Sequence, residues 1–406
     1  MTLTEHTPAD DSQSPEALIP EAREIQRRRR RRQVLTLTGA SLACGIVAAA
    51  VYLLTTGIAS TTTAPSGQRG NAIGGAPVIP KDPTAVAIGP SGVLYIADTG
   101  RQQILERLPN GRFEVAVGTG VVGDSGDGGR ATRARIDLTW GQGNSLVVTP
   151  AGVLYFDQGA SRSAGSSVRK VTPNGRISTV VGGHPDCQGA GASSKDVTTR
   201  DVSAGALAGA PNGDLSMLAY TCANRAFPSL LLDLTPSDKL VISPYSSAIT
   251  NTNGGQCSDG LAYSASATYV SCSYYRRHPD AFVIVEPDGH MKELPAIPRI
   301  GATAAPRGLA AGPDGTVVAI DSYSVVRVTP RGVHQIINLR NASLGTFRGV
   351  NGRRSVPYFQ PSGIAVDRHG DVFLAGTSGY SSPIGFAGIV EIHADGRWQI
   401  LWSRRL

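Results

Sequence analysis

The strongest constraint in this sequence is a tight turn that recurs twelve times in two alternating classes. The first class leads into an apolar run: GPSGVLYIAD (89–98), TPAGVLYFD (149–157), APNGDLSMLAY (210–220), GPDGTVVAID (312–321) and DRHGDVFLAG (367–376). A sixth copy, SASATYVSCSYY (264–275), lacks the turn glycine. The second class follows each of these as LPNGRFEV, TPNGRIST, TPSDKLVI, EPDGHMKE, TPRGVHQI and ADGRWQI. Glycine supplies the positive φ that other side chains resist, so each turn between apolar runs reads as a hairpin. Two hairpins per repeat make four strands. Six repeats over 82–402 average about 53 residues each, the scale of a propeller blade. Runs such as VLYIA and TVVAI are continuous rather than alternating, which requires cover on both faces. A four-stranded blade between two neighbours has that cover. The expected fold class is all-β, a six-bladed β-propeller over 82–406 preceded by one N-terminal transmembrane helix.

That helix is read from residues 34–59, which follow Arg27–Arg32 and carry no charge. They exceed the roughly 20 residues needed to cross a hydrocarbon core of about 30 Å. The arginines would hold residues 1–33 in the cytoplasm as a disordered tail. Residues 60–81, rich in Thr, Ser, Gly and Pro, would form a linker. The expected location is a single-pass signal-anchor in the cell membrane with the propeller extracytoplasmic. Two alternatives use the same segment. Arg31-Arg32-Gln33-Val34-Leu35 resembles a twin-arginine export signal, with Gly57-Ile58-Ala59 offering a cleavage site that would leave the protein secreted. A lipoprotein box at Cys44 is the weaker option, because Ser41 stands where an aliphatic residue is wanted.

The net charge of +7 does not point to nucleic acid. Beyond residue 60 there are 31 basic and 25 acidic residues, scattered without the basic stripe that a nucleic-acid partner requires.

The stretches DPTAVAIGPSGVLYIADTGRQQILERL (82–108) and GDSGDGGRATRARIDLTWGQGNSLVVTPAGVLYFDQGASRSAGSSVRKV (123–171) resemble the NHL-repeat family. The likeness rests on a Gly-Asp-Gly-Gly loop followed by Ala-Thr, and on the strand end Tyr-Ile-Ala-Asp-Thr-Gly. It is good over the first two blades, fair over the last two and poor over the middle pair. The resemblance implies an extracytoplasmic binding module, with a minority of related propellers acting as metal-dependent lactonases, hydrolases or lyases.

Loops that lead into the inner strands open around the central channel, the usual ligand face of such a ring. Aligned inner strands place Thr84, Asn144, Ala204, Asp259, Arg307 and Ser362 at that mouth, with Trp140 nearby. Asn144, Asp259, Arg307 and Trp140 are the candidate ligand-binding residues, and Asp259 and Arg307 can pair across neighbouring blades. No catalytic residue, metal or cofactor is expected. In the alternative, a lactonase or hydrolase, Asn144 and Asp259 would bind one divalent ion, Ca or Zn, although about three protein ligands are normally needed. The loop Asp124-Ser125-Gly126-Asp127 lacks the alternating oxygen ligands of a Ca²⁺ hand, so its glycines are expected to serve conformation. The expected partner is a protein or a cell-envelope component.

An acid recurs where the second strand ends, as Asp98, Asp157 and Asp321, and is expected to cap the following turn. Four cysteines lie outside the apolar segment. Topology favours the disulfides Cys187–Cys222 and Cys257–Cys272, each joining the start of a blade to the end of its second strand. Ring closure has two options: GRWQILW (396–402) completes blade six, or APVIP (76–80) adds an edge strand there.

Overall fold

The computed structural model describes residues 78–138, 145–159, 167–182, 202–221, 230–246, 255–274, 281–295, 307–321, 324–339, 347–348, 354–355, 359–378 and 386–405. Among these residues the chain forms six four-stranded antiparallel sheets, each from one uninterrupted stretch of sequence. Blade one holds β1 (Pro83–Ile88), β2 (Leu94–Asp98), β3 (Gln103–Arg107) and β4 (Phe113–Val117). Blade two holds β5 (Leu146–Val148), β6 (Leu154–Gln158), β7 (Ser167–Val171) and β8 (Ile177–Gly182). Blade three comprises β9 (Val202–Gly209), β10 (Leu215–Thr221), β11 (Leu230–Leu234) and β12 (Leu240–Ile242). Blade four comprises β13 (Gly255–Tyr263), β14 (Thr268–Tyr274), β15 (Ala281–Val285) and β16 (Met291–Pro295). Blade five runs through β17 (Arg307–Ala311), β18 (Val317–Asp321), β19 (Ser324–Thr329) and β20 (Gly332–Asn338). A short hairpin, β21 (Phe347–Arg348) with β22 (Arg354–Ser355), precedes blade six. That last blade is β23 (Phe359–Val366), β24 (Val372–Ser378), β25 (Phe386–Ile392) and β26 (Trp398–Arg405).

The repeated turn is one structure used ten times. At 89–93 the N–H of Gly89 donates to the carbonyl of Val93, and the N–H of Gly92 to that of Gly89. The same pair of bonds recurs in nine other turns, from 108–112 to 393–397. The residue before the exit strand is left-handed in each, as Gly92 is with φ of 79°. In TPSD this place falls to Asp238, at 61°, one of the few side chains that tolerate it. The turns at 264–267 and 329–332 depart from the pattern.

Packing explains the unbroken apolar runs. Successive side chains on a strand point to opposite faces, and in a blade both faces meet another blade. Ile104 packs between blades one and two, whereas Leu105 packs between blades six and one. Six such clusters fill the six seams. Trp398 and Trp402 contribute packing to the seams on either side of blade six.

The inner strands β1, β5, β9, β13, β17 and β23 neighbour one another in cyclic order. Ring closure is by side-to-side contact, with no strand borrowed. Blade six is completed by β26, as the first closure option expected. Val78 bonds instead to Phe113 on the outer edge of blade one, so APVIP does not extend blade six. Across the closing seam, the Ser362 hydroxyl donates to the Thr84 carbonyl at 2.7 Å. Gly363 lets the two inner strands approach, since a Cβ there would meet Ala85 Cα at 2.5 Å.

Cys257 and Cys272 face each other on β13 and β14 and form a disulfide. Cys187 and Cys222 lie outside the described residues, as do the expected tail, transmembrane segment and most of the linker. Among the described residues, no helix is long and apolar enough to cross a membrane.

Candidate functional site

The turns occupy one face of the ring, and the starts of the inner strands occupy the other. Around that mouth the inner strands are irregular. Five of the six shift register against their second strand where the sequence placed the mouth residues. Thr84, Asp259 and Ser362 fall within the shifts, and Ala204 and Arg307 border them. A bulge of this kind re-aims side chains at the end of a sheet. Two of these positions serve the ring itself: the Thr84 hydroxyl donates to Ala97, and that of Ser362 to Thr84 and Ala375. Asp259 and Arg307 sit on adjacent inner strands, β13 and β17. Asn144 and Trp140 lie outside the described residues, as do the side chains of Asp259 and Arg307.

Asp98 finishes β2 fully buried. Its carboxylate accepts N–H bonds from Lys81 at 2.6 Å, Asp82 at 2.9 Å and Arg101 at 3.1 Å. The expected cap is therefore also a clasp, tying the turn after β2 to the segment that leads into β1. Burial raises its pKa against the opposing pull of those N–H bonds.

Asp127 likewise has a structural partner. One oxygen accepts the guanidinium of Arg169 at 2.7 Å, and the other accepts the Thr179 N–H at 2.9 Å. Arg169 is fully buried, and burial lowers its pKa while Asp127 opposes the shift. The loop carrying Asp127 lies along the outer edge of blade two through Gly128, Gly129 and Ala131. Gly126 there has φ of 107°, and a Cβ would meet Ala134 Cα at 2.7 Å. The glycines serve conformation, as their sequence context indicated.

Among the described residues, two cavities open on the turn face that the sequence reading missed. One of about 360 Å³ lies between blades three and four, and one of about 330 Å³ between blades five and six. Their origin is a single position, the second residue of the second strand, which faces the next blade. It is Tyr95, Tyr155, Tyr269 and Phe373 in four blades, but Ser216 in blade three and Val318 in blade five. Where the aromatic ring is missing, the seam is open. This signal was present in the aligned repeats.

His369 and His393 line the second cavity with Arg327 and Arg368 above an aliphatic floor. Both histidines belong to turns, on the face opposite the channel mouth. His393 Nδ1 lies 3.4 Å from Asp371 and 3.8 Å from Glu391, the one metal-capable cluster among the described residues. Asp371 also accepts the Ala394 N–H at 2.9 Å, and Glu391 the Gln399 amide at 2.7 Å. The cluster is thus already tied into the turn at 393–396.

The chain is an all-β, six-bladed propeller. No family profile matches the sequence, and no curated protein matches it. Among solved structures it is similar to inactive virginiamycin B lyase from Staphylococcus aureus, with 12% identity, coverage of 79% of this chain and 83% of that one, and a TM-score of 0.43. It is also similar to a gluconolactonase from Xanthomonas campestris, at 14% identity, 74% and 84% coverage and a TM-score of 0.44. The PQQ-bound aldose sugar dehydrogenase from Streptomyces coelicolor gives 14% identity, 82% and 97% coverage and a TM-score of 0.44. Likeness at this level lends no chemistry to the chain.

Proposed function

We propose that the protein is a membrane-anchored, extracytoplasmic propeller of the NHL type that binds a protein or cell-envelope component through its channel mouth. The observation that carries this reading is the set of register shifts at the mouth. Five blades give up regular pairing of the inner strand at the level of the aligned mouth residues. With Thr84 and Ser362 engaged in ring contacts, the polar chemistry left for a ligand falls to Asn144, Asp259 and Arg307. The uncharged segment 34–59 supplies the anchor and 60–81 the linker.

The test is crosslinking at the cell surface with the full-length chain, comparing wild type, Asp259→Ala/Arg307→Ala, and Arg368→Ala on the turn face. Loss of a captured component in the mouth double variant alone supports the proposal. Equal capture by all three places the site elsewhere. Recovery of the chain in the carbonate-extracted supernatant would argue against the anchor.

A further inference from the structure

The two open seams are not chemically alike. Between blades five and six the aromatic ring is replaced by Val318, another apolar residue. Between blades three and four it is replaced by Ser216, and the surroundings change with it. Ser216, Ser243, Ser264 and Thr268 all line this cavity, and all are buried. Buried hydroxyls are costly unless bonded; Ser264 bonds within its own turn, and the others form a network. Ser216 donates to Asp233, Ser243 is also bonded to that carboxylate, and the Tyr263 hydroxyl is bonded to Ser216 and Thr268.

Among the described residues, Asp233 is the only charged side chain lining the cavity, and its charged neighbour is another acid, Asp214. Burial raises the Asp233 pKa, and Asp214 raises it further. A half-buried carboxylate that no described residue compensates with a positive charge is a costly arrangement. The rings of Tyr245 and Tyr263 line the same space, and aromatic faces attract cations.

We propose that the cavity between blades three and four binds a small organic cation, an alkylammonium or diamine, with Asp233 as counter-charge and Tyr245 and Tyr263 as an aromatic wall. The volume is that of a small-ligand pocket. Charge decides between this ligand and a neutral polyol. A polyol would leave Asp233 uncompensated, while Ser216 and Ser243 already supply the hydroxyl donors that the carboxylate needs. The site lies on the face opposite the mouth, so it stands independently of the mouth proposal.

The test uses the purified full-length chain with three probes: choline, putrescine, and 3,3-dimethylbutanol as the uncharged counterpart of choline. Calorimetric titration is expected to show one site for choline or putrescine, with the alcohol at least about tenfold weaker. Asp233→Asn, nearly isosteric, is expected to weaken the amine at least about tenfold without lowering Tm. Ser216→Phe restores the ring found at this position elsewhere and is expected to abolish binding. The proposal is overturned if the alcohol binds as tightly as choline, if Asp233→Asn binds the amines unchanged, or if neither amine binds wild type at about 10 mM.

Discussion

Asp98 shows how much of the architecture rests on single side chains. Its three N–H bonds join segments 16 and 17 residues apart as well as its own turn. Asp98→Ala leaves these donors without their acceptor, at about 1–3 kcal/mol for a buried group, so a loss of about 2–3 kcal/mol is expected in urea denaturation. Its titration acts in the other direction. Because burial raises the folded-state pKa above the ordinary 3.8, the native state holds this proton more tightly than the unfolded chain. Stability from this group is full below the ordinary value and is lost as pH rises through the folded one. The stability of wild type minus that of Asp98→Asn should therefore fall as pH rises above the ordinary value of 3.8, and a flat or rising difference would refute this. Asp127→Ala should cost about 2 kcal/mol, because it removes the ion pair of the buried Arg169 and leaves its guanidinium bonded to Gln158 with only the more distant charge of Asp124, although the exposure of Asp127 keeps the loss below that of a wholly buried pair. Asp98 was legible in the sequence because an acid recurs at its place in other blades. The link from Asp127 to Arg169 was not, since 42 residues separate them and neither recurs at its place in the other blades.

At the scale of elements, the turn glycines made the hairpins readable, and one of the two departures follows from sequence. SASA lacks the glycine, and its turn differs accordingly. Strand order within blades followed from the same signal, as did the Cys257–Cys272 bridge once both residues were assigned to facing strands. The bridge closes a loop of 15 residues, for which chain entropy gives about 3 kcal/mol. Cys257→Ala/Cys272→Ala should lower stability by about that amount, measured by denaturation without reductant. Non-reducing peptide mapping of wild type should recover the 257–272 pair. The mouth was less legible. Its positions could be aligned, but the loops that lead into it share no repeat, and nothing in their spacing reports how a register shift turns a side chain.

Over the whole molecule, the seams decide both stability and the location of cavities. Tyr or Phe stands at one position in four seams, and a cavity opens in each of the two where it is replaced. Val318→Phe should fill the seam between blades five and six and raise stability by about 1 kcal/mol, the mirror of a cavity-creating change. A drop in Tm would show instead that the seam is already packed. The ring as such was legible because every seam needs the same apolar runs. Which seams remain open depended on one residue per blade, which stands out only when the repeats are compared column by column.

Self-contained blades also impose an order of events on the nascent chain. Each sheet is complete once its own stretch has emerged into the compartment where it folds, so blades one to six can form in turn, each resting on its predecessor. The seam between the last blade and the first has no such sequence. Ser362 and Thr84 are 278 residues apart, and at a synthesis rate of about 5–20 residues per second that interval lasts tens of seconds. Throughout it, Val86, Leu94, Ile96 and Leu105 have no partner from blade six. The first blade must therefore keep an apolar face in water until the last arrives, and that face is where a chaperone would be needed.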